Sequence, residues 1–226
     1  MENQEIYQNE SESLIIPVRD KKIWIFFAIA IALVILDQIT KLWIHGFSFL
    51  GFNHIGFDYG SIMPVIGNFL TFTFIENPGM AWGIHFGFIG KFLLSSFSII
   101  ASIILSIVLI RIRNKHFGVR LAIMFILAGA FGNLIDRVFY GVIFGYAPLL
   151  YGKVVDFIQV DIPDIVIGSY QLTHFPVFNV ADSCVTIGIC ILVIFFNKVP
   201  QINEIFPKKI KNVASEQVNE SQSSEN

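Results

Sequence analysis

The hydrophobic pattern divides the chain into four long apolar runs separated by polar or mixed segments. These runs predict helices at about 23–44, 90–110, 121–138 and 176–196. About 20 apolar residues in a helix can cross a bilayer, so the pattern predicts an all-α integral membrane protein with four transmembrane helices. The runs define one membrane domain, 23–197, between a polar arm, 1–22, and a polar tail, 198–226. The tail is poor in apolar residues, so we expect it to be disordered.

Two long connections, 45–89 and 139–175, join the apolar runs. In the first, residues 69–74 alternate apolar residues with threonine, which predicts a small β element with one packed face. Glu76-Asn77-Pro78-Gly79 then predicts a turn. Aromatic residues suit a segment at the membrane interface, so we expect this Phe-rich connection to lie along the membrane surface and to help cover a site formed by the polar residues of the apolar runs.

The basic residues predict the orientation of the chain in the membrane. Eleven of the fifteen Lys and Arg lie in the N-terminal arm, the 111–120 loop and the C-terminal flank, whereas residues 42–90 contain none. Short basic segments remain in the cytoplasm. We therefore expect both termini to be cytoplasmic and both long connections, with the β element, to be extracytoplasmic.

Composition supports a membrane protein and excludes some functions. Hydrophobic residues make up 54% of the chain and charged residues 14%, against roughly 25% charged residues in soluble domains. A net charge of −2 does not indicate nucleic-acid binding. The five histidines lack metal-ligand spacing, so we expect neither a metal nor a cofactor.

The polar residues of the apolar runs fall at one depth once the helices are given their directions. Asp37 lies near the outer end of the first run, Asn133 and Asp136 end the third, and Asn179 and Asp182 begin the fourth. Each Asn–Asp pair is three residues apart, so its members share a helix face. With Asp156 from the outer connection, these residues predict a polar pocket in the outer leaflet.

Carboxylates are the reactive groups of this pocket. Two neighbouring carboxylates do not both ionise, so one acts as base and the other as acid around a water molecule, as in aspartic proteases. Two alternatives stay open: a buried network that only fixes helix packing, and a proton-coupled transporter. A transporter needs polar groups at several depths, whereas the inner halves of the runs are uncharged.

Five motifs, in order, resemble those of the lipoprotein signal peptidase (signal peptidase II) family. They cover roughly residues 23–197 and comprise Asp37-Gln38-x-x-Lys41, Asn77-Pro78-Gly79-Met80-Ala81-Trp82-Gly83, Gly132-Asn133-Leu134-Ile135-Asp136-Arg137, Val154-Val155-Asp156-Phe157-Ile158 and Phe178-Asn179-Val180-Ala181-Asp182-Ser183. Each motif alone is weakly specific, and their order makes the resemblance specific.

The resemblance implies an aspartic endopeptidase that removes the signal peptide from diacylglyceryl-modified prolipoproteins, cutting before the lipidated cysteine. It assigns catalysis to Asp156 and Asp182, and it implies that Asp37 and Lys41 form a structural pair. It implies a monomer in the bacterial inner membrane whose partners are lipid-modified prolipoproteins and membrane lipids, with the active site toward the outer face. Substrate-binding or supporting positions are Asn77, Gly79, Asn133, Asp136, Arg137, Asn179 and Ala181.

Two intervals are longer than the family pattern, near Val142–Gly152 and Asp161–His174. We expect both to extend the outer surface, where loops tolerate insertion. Asp161 and Asp164 are rival carboxylates in the second interval. Ile162-Pro163 between them predicts a turn, so we interpret both as solvated loop residues.

Overall fold

The computed structural model describes residues 21–49, 51–79, 87–167 and 170–207. Predictions for most of the polar arm, for Met80-Ala81-Trp82-Gly83 and for the tail beyond residue 207 lie outside these ranges. The description below concerns the described residues only.

Three apolar helices are long enough to cross a membrane. Helix α1 is Lys21–His45 and α2 is Gly87–Arg111. Helix α3 has three consecutive parts. They are an α-helical part, Phe117–Ile135, a wider π turn, Asp136–Tyr140, and a last turn, Gly141–Ile143. The apolar helix α4, Val180–Ile194, has 15 residues, or roughly 22 Å at 1.5 Å per residue. A short turn, Phe196–Lys198, and α5, Ile202–Ile205, follow it.

Helix α4 begins four residues later than the expected start at 176. The backbone of Phe178 bonds with that of Ile158 in both directions, at 2.7 and 3.0 Å. Phe175 N also donates to Val160 O at 2.9 Å. The segment before Asn179 is therefore extended and paired with a strand, and the helix can begin only after it.

The chain has more β structure than the small element that the sequence predicts. Strands β1, Gly46–Phe49, and β2, Phe52–Ile55, form an antiparallel hairpin. A second antiparallel sheet has the order β3–β4–β5–β6, with bounds Ile62–Ile66, Leu70–Asn77, Val154–Ile167 and Tyr170–His174. The fold thus combines apolar helices with two small sheets.

The predicted turn at Ile162-Pro163 is wrong, because both residues lie within β5. The register between β5 and β6 shifts between Asp161 and Ile165, where proline cannot donate a ladder hydrogen bond. Asp161 is about half exposed and lies 3.3 Å from His174 Nδ1. The sequence signal for a turn therefore corresponds to an irregularity within a long strand.

Helix α3 lies at the centre of the helical layer and packs against α1, α2 and α4. One apolar cluster, including Phe26, Leu109 and Leu127, joins α1, α2 and α3. At Gly132, a Cβ atom would lie 2.6 Å from Asp37 Oδ2 and 2.8 Å from Ala181 Cβ. The glycine thus allows α1 and α4 to approach α3 closely.

The sheet is joined to the ends of α1 and α3. A second buried cluster contains Ile44 of α1, Tyr140 of α3 and Phe74, Val155 and Phe157 of the sheet. The longer segment 142–152 turns back onto α2, where Ser95 Oγ donates to Leu150 O at 2.7 Å. The sheet therefore packs against the C-terminal ends of α1 and α3.

Candidate active site

Backbone pairing brings β5 against the start of α4. Phe157 N and Ile158 N both donate to Phe178 O, at 3.1 and 2.7 Å. Asp156 precedes this bridge on β5, and Asn179 follows it in the chain. The bridge therefore places the Asp156 carboxylate beside the first turn of α4.

Asn179 is the fully buried N-cap of α4. Its Nδ2 donates to Asp156 Oδ1 at 2.7 Å and to Asn133 Oδ1 at 3.1 Å. Its Oδ1 accepts from Asp182 N at 2.9 Å. One side chain thus orders the helix start and links strand β5 to helix α3.

Asp182 completes the cap from the third position of α4. Its Oδ2 accepts from Asn179 N at 3.3 Å, so the two residues form a capping box. Its Oδ1 accepts from Asn133 Nδ2 at 2.8 Å. Both oxygens of the Asp182 carboxylate are therefore held in place, although the side chain is only partly buried.

Asp156 is 4% exposed and has hydrogen-bond partners on both oxygens. Asn77 Nδ2 donates to its Oδ2 at 3.1 Å, and Asn179 serves its Oδ1. Burial, together with the negative charge of Asp182, raises the pKa of Asp156 to about 7, despite the opposing hydrogen bonds and the charge of Lys41. Asp156 therefore gains or loses its proton near neutral pH.

A pocket opens beside Asp182. It has a volume of about 450 Å³ and is lined mostly by apolar groups, and Asp182 reaches its wall. The lining residues are Phe175, Pro176, Val177, Phe178, Asp182, Ser183, Thr186 and Ile187. The Asp182 carboxylate therefore faces a space whose walls are mainly apolar.

A buried ion cluster contacts both β5, which carries Asp156, and α4, which carries Asp182. Lys41 Nζ lies 2.8 Å from Asp37 Oδ2 and 2.7 Å from Asp136 Oδ2. It also donates to Asn133 Oδ1 at 3.0 Å. All three charged side chains are at most 1% exposed, so each charge depends on its partners.

The cluster holds α4 and β5 through their backbones. Asp37 Oδ1 accepts from Ala181 N at 2.8 Å, and Asp136 Oδ2 accepts from Val155 N at 3.3 Å. Ala181 precedes Asp182, and Val155 precedes Asp156. Asp37 of the expected structural pair Asp37–Lys41 thus bonds the residue before Asp182, and Asp136, which Lys41 contacts, bonds the residue before Asp156.

Two expected site residues lie at the edge of this network. Arg137 is half-buried, and its Nη1 lies 3.3 Å from Ser98 Oγ of α2. Gly79 N donates to Asn77 Oδ1 at 2.9 Å, and its φ of +93° is a conformation that glycine adopts easily. Gly79 thereby fixes the amide that serves Asp156.

Four residues that support the site are not identified by the sequence analysis: Gln38, Tyr140, Glu76 and Lys153. Gln38 Nε2 donates to Asp136 Oδ1 at 2.9 Å, and Tyr140 OH donates to Gln38 Oε1 at 3.0 Å. Gln38 lies in the first of the five motifs, directly after Asp37, and this position is a sequence signal for its role. Lys153 Nζ lies 2.6 Å from Glu76 Oε2, beside Asn77; no local pattern reveals this pair, because it depends on the register of β4 and β5.

Similar solved structures indicate the class of protein to which this fold belongs. The chain is 34% identical to a bacterial membrane enzyme determined by the in meso method at 1.9 Å resolution, with a TM-score of 0.53, covering 77% of this chain and 94% of that one. A second such structure, at 2.3 Å resolution, has 32% identity and a TM-score of 0.52 over 82% and 93% of the two chains. The fold is that of an integral membrane enzyme.

Sequence relatives define the family. Residues 29–198 match the model described as Signal peptidase (SPase) II. The lipoprotein signal peptidase of Amoebophilus asiaticus is 37% identical over 191 residues, which are 77% of this chain and 78% of that protein. That of Chlorobium phaeobacteroides is 35% identical over 174 residues, 77% of this chain and 96% of that protein. The chain belongs to the signal peptidase II family, and it is therefore a membrane peptidase.

Proposed function

We propose that this peptidase is an aspartic endopeptidase that removes the signal peptide from diacylglyceryl-modified prolipoproteins by cutting before the lipidated cysteine. Asp156 and Asp182 are its catalytic pair. The observation that carries the proposal is the shared support of two carboxylates: Asn179 bonds both, and the charge of Asp182 contributes to the raised pKa of Asp156. Carboxylates that influence each other in this way are suited to acid–base catalysis.

The surroundings of each carboxylate favour a division of roles. Asp182 lies in the first turn of α4, where the helix N-terminus stabilises negative charge. With a pKa of about 7, Asp156 keeps its proton up to about neutral pH. We therefore assign Asp182 as the base and Asp156 as the acid.

The reaction then follows from these roles. Asp182 takes a proton from water, and the water oxygen attacks the carbonyl carbon of the scissile peptide. The proton of Asp156 moves to the carbonyl oxygen, which gives a neutral tetrahedral intermediate. As this intermediate collapses, Asp182 gives its proton to the leaving nitrogen, the C–N bond breaks, and Asp156 recovers a proton from the hydroxyl group. Both carboxyl groups return to their starting states.

The position of the site suits a lipid-anchored substrate. A protein held by acyl chains keeps its cleavage site near the bilayer surface, and the apolar pocket beside Asp182 offers space for an apolar part of that substrate. The enzyme then acts as a monomer in the bacterial inner membrane, with both termini in the cytoplasm and the site toward the outer face. This orientation rests on the distribution of Lys and Arg.

The test is cleavage of a lipidated precursor by enzyme in membranes. Asp156→Asn and Asp182→Asn should each lower turnover by at least about a hundredfold, the scale of a lost acid or base. Asp161→Asn is the matched control, because Asp161 lies on the same strand as Asp156 but is half exposed and beside His174. A chelator should leave the wild-type rate unchanged.

The same experiment decides between this proposal and a packing role. If either carboxylate variant inserts into the membrane and still cleaves the precursor at the wild-type rate, the catalytic pair is wrong. The polar network then serves only to hold the helices together. Equal losses in Asp161→Asn would also count against the pair, because they would reflect a general effect of altered charge on β5.

A further inference from the structure

The β1–β2 hairpin presents an aromatic face that is not buried within the described chain. Its register pairs Phe49 with Phe52 and Phe47 with His54. Directly paired residues of an antiparallel hairpin lie on the same face. Phe47, Phe49 and Phe52 therefore share one face, and they are 38%, 69% and 75% exposed.

The opposite face of the hairpin is mainly polar at its centre. Ser48 pairs with Asn53, and both are exposed. At the base of this face, Gly46 pairs with Ile55, which is 93% exposed and is its one large apolar side chain. The two faces thus differ, with three phenylalanines and His54 on one side and Ser48, Asn53 and Ile55 on the other.

The aromatic face continues the surface of a membrane helix. Ile35, Ile39 and Trp43 follow one another at four-residue spacing along α1 and are 52%, 59% and 41% exposed. Phe47 comes four residues after Trp43, and β1 begins directly after the last residue of α1. The lipid-facing surface of α1 therefore leads in sequence to the phenylalanines of the hairpin.

The hairpin is joined to the remaining described chain near its base. His54 Nε2 lies 2.9 Å from Trp43 O, and Phe57 N donates to Ile44 O at 2.8 Å. An isolated two-stranded hairpin is at best marginally stable in water unless one face packs against something. Residues 42–90 contain no Lys or Arg, so no positive side chain of this connection opposes contact with apolar groups.

We propose that the β1–β2 hairpin is a membrane anchor whose Phe47–Phe49–Phe52 face inserts into the lipid at the C-terminal end of α1. Aromatic side chains are favoured at the boundary between headgroups and acyl chains. Ser48 and Asn53 then face water. This anchoring is independent of the assignment of the catalytic carboxylates.

A fluorescent label on either face of the hairpin tests the proposal. The full chain carries Cys190→Ser, since Cys190 is exposed whereas Cys184 is buried. Single cysteines are then introduced as Phe49→Cys and Phe52→Cys on the aromatic face and as Ser48→Cys on the polar face, and each is labelled with an environment-sensitive dye. The Cys190→Ser parent measures any labelling of Cys184.

The labelled proteins are placed in phosphatidylcholine vesicles with a lipid-bound nitroxide quencher or with aqueous iodide. Labels at positions 49 and 52 should lose most of their emission to the nitroxide and be shielded from iodide, with a blue-shifted spectrum. The label at position 48, one residue from 49 but on the other face, should behave in the opposite way. Circular dichroism and thermal unfolding of each variant establish that it is folded.

The contrast between the two faces decides the outcome. If the label at position 49 is as accessible to iodide as the label at position 48, lipid does not cover the aromatic face. That result in pure lipid vesicles would overturn the anchor and leave a protein partner as the occupant. Equal quenching of both faces by the nitroxide would also contradict it, because the hairpin would then have no preferred side.

Discussion

The pH dependence of cleavage should respond to the amide that bonds Asp156. If Asp156 acts as the acid, kcat/KM falls above its pKa of about 7, by tenfold per pH unit once the carboxyl has ionised. Asn77 Nδ2 donates to Asp156 Oδ2 at 3.1 Å and thereby opposes the raised pKa. Replacing Asn77 by alanine removes a donor that favours the ionised form, so the pKa should rise further.

The size of the shift follows from the strength of the bond. A hydrogen bond to a charged group contributes about 1.5 kcal/mol at the low end of its range, and one pKa unit corresponds to 1.36 kcal/mol. The alkaline limb of the profile should therefore move upward by about one pH unit in Asn77→Ala. The maximal rate should fall as well, because the carboxylate loses an orienting partner.

The assay is kcat/KM for a lipidated precursor in detergent or nanodiscs, measured between roughly pH 5 and 9 to include both limbs. Asn197→Ala is the control, because Asn197 is exposed and lies beyond the opposite end of α4 from Asp182. Its limb should coincide with that of the wild type. An alkaline limb that stays fixed or moves downward in Asn77→Ala would refute the assignment of Asp156 as the acid.

Three further predictions concern stability, measured by thermal or denaturant unfolding in detergent. The folded state raises the pKa of Asp156 from 3.8 to about 7, so it binds the proton more tightly than the unfolded chain, and wild-type stability should fall as pH rises through this window. The full loss of unfolding free energy is about 4 kcal/mol. Asp156→Asn should lack this decline, and parallel curves of stability against pH for the two proteins would contradict the prediction. Lys41→Met leaves the buried Asp37 and Asp136 without their cation, which should lower the unfolding free energy by about 3–5 kcal/mol. Adding Asp136→Asn should recover part of that loss. A double variant no more stable than the single one would count against the ion cluster. Gly132→Ala should lower the unfolding free energy by about 1–3 kcal/mol through overpacking against Asp37 and Ala181. An unchanged unfolding midpoint would show that α1 and α4 shift to make room for the methyl group.

The apolar runs predicted the helices well because burial in lipid leaves a simple pattern. They could not predict the start of α4, since Phe175 to Phe178 are apolar but pair with β5 as an extended segment. Pairing between distant segments likewise explains why the sequence understated the sheet that contains β4 and β5. Strand pairing depends on distant partners, whereas helix formation follows from local spacing.

The three-residue Asn–Asp spacings identified residues that interact, but they did not always predict the geometry of the interaction. Asn179 and Asp182 are bonded, but as the two members of a helix cap and not as neighbours on one helix face. Asn133 and Asp136 do share a partner, because Lys41 Nζ contacts both, and Asn133 also donates to Asp182. The bond from Asn77 to Asp156 depends on β4–β5 pairing, whose register shifts between Phe72 and Ile75, so no spacing in the sequence could reveal it.

The length of α4 has a consequence for the surrounding bilayer. Its 15 residues span roughly 22 Å, whereas the hydrocarbon core of a typical membrane is about 30 Å thick. If α4 crosses the membrane, as the sequence predicts, this hydrophobic mismatch is relieved when lipid thins next to the short helix. Because Asp182 lies in the first turn of that helix, the thinning would then occur next to the helix that carries Asp182. If the substrate is the lipidated precursor proposed above, its peptide bond could then reach Asp182 without drawing the acyl chains out of the membrane.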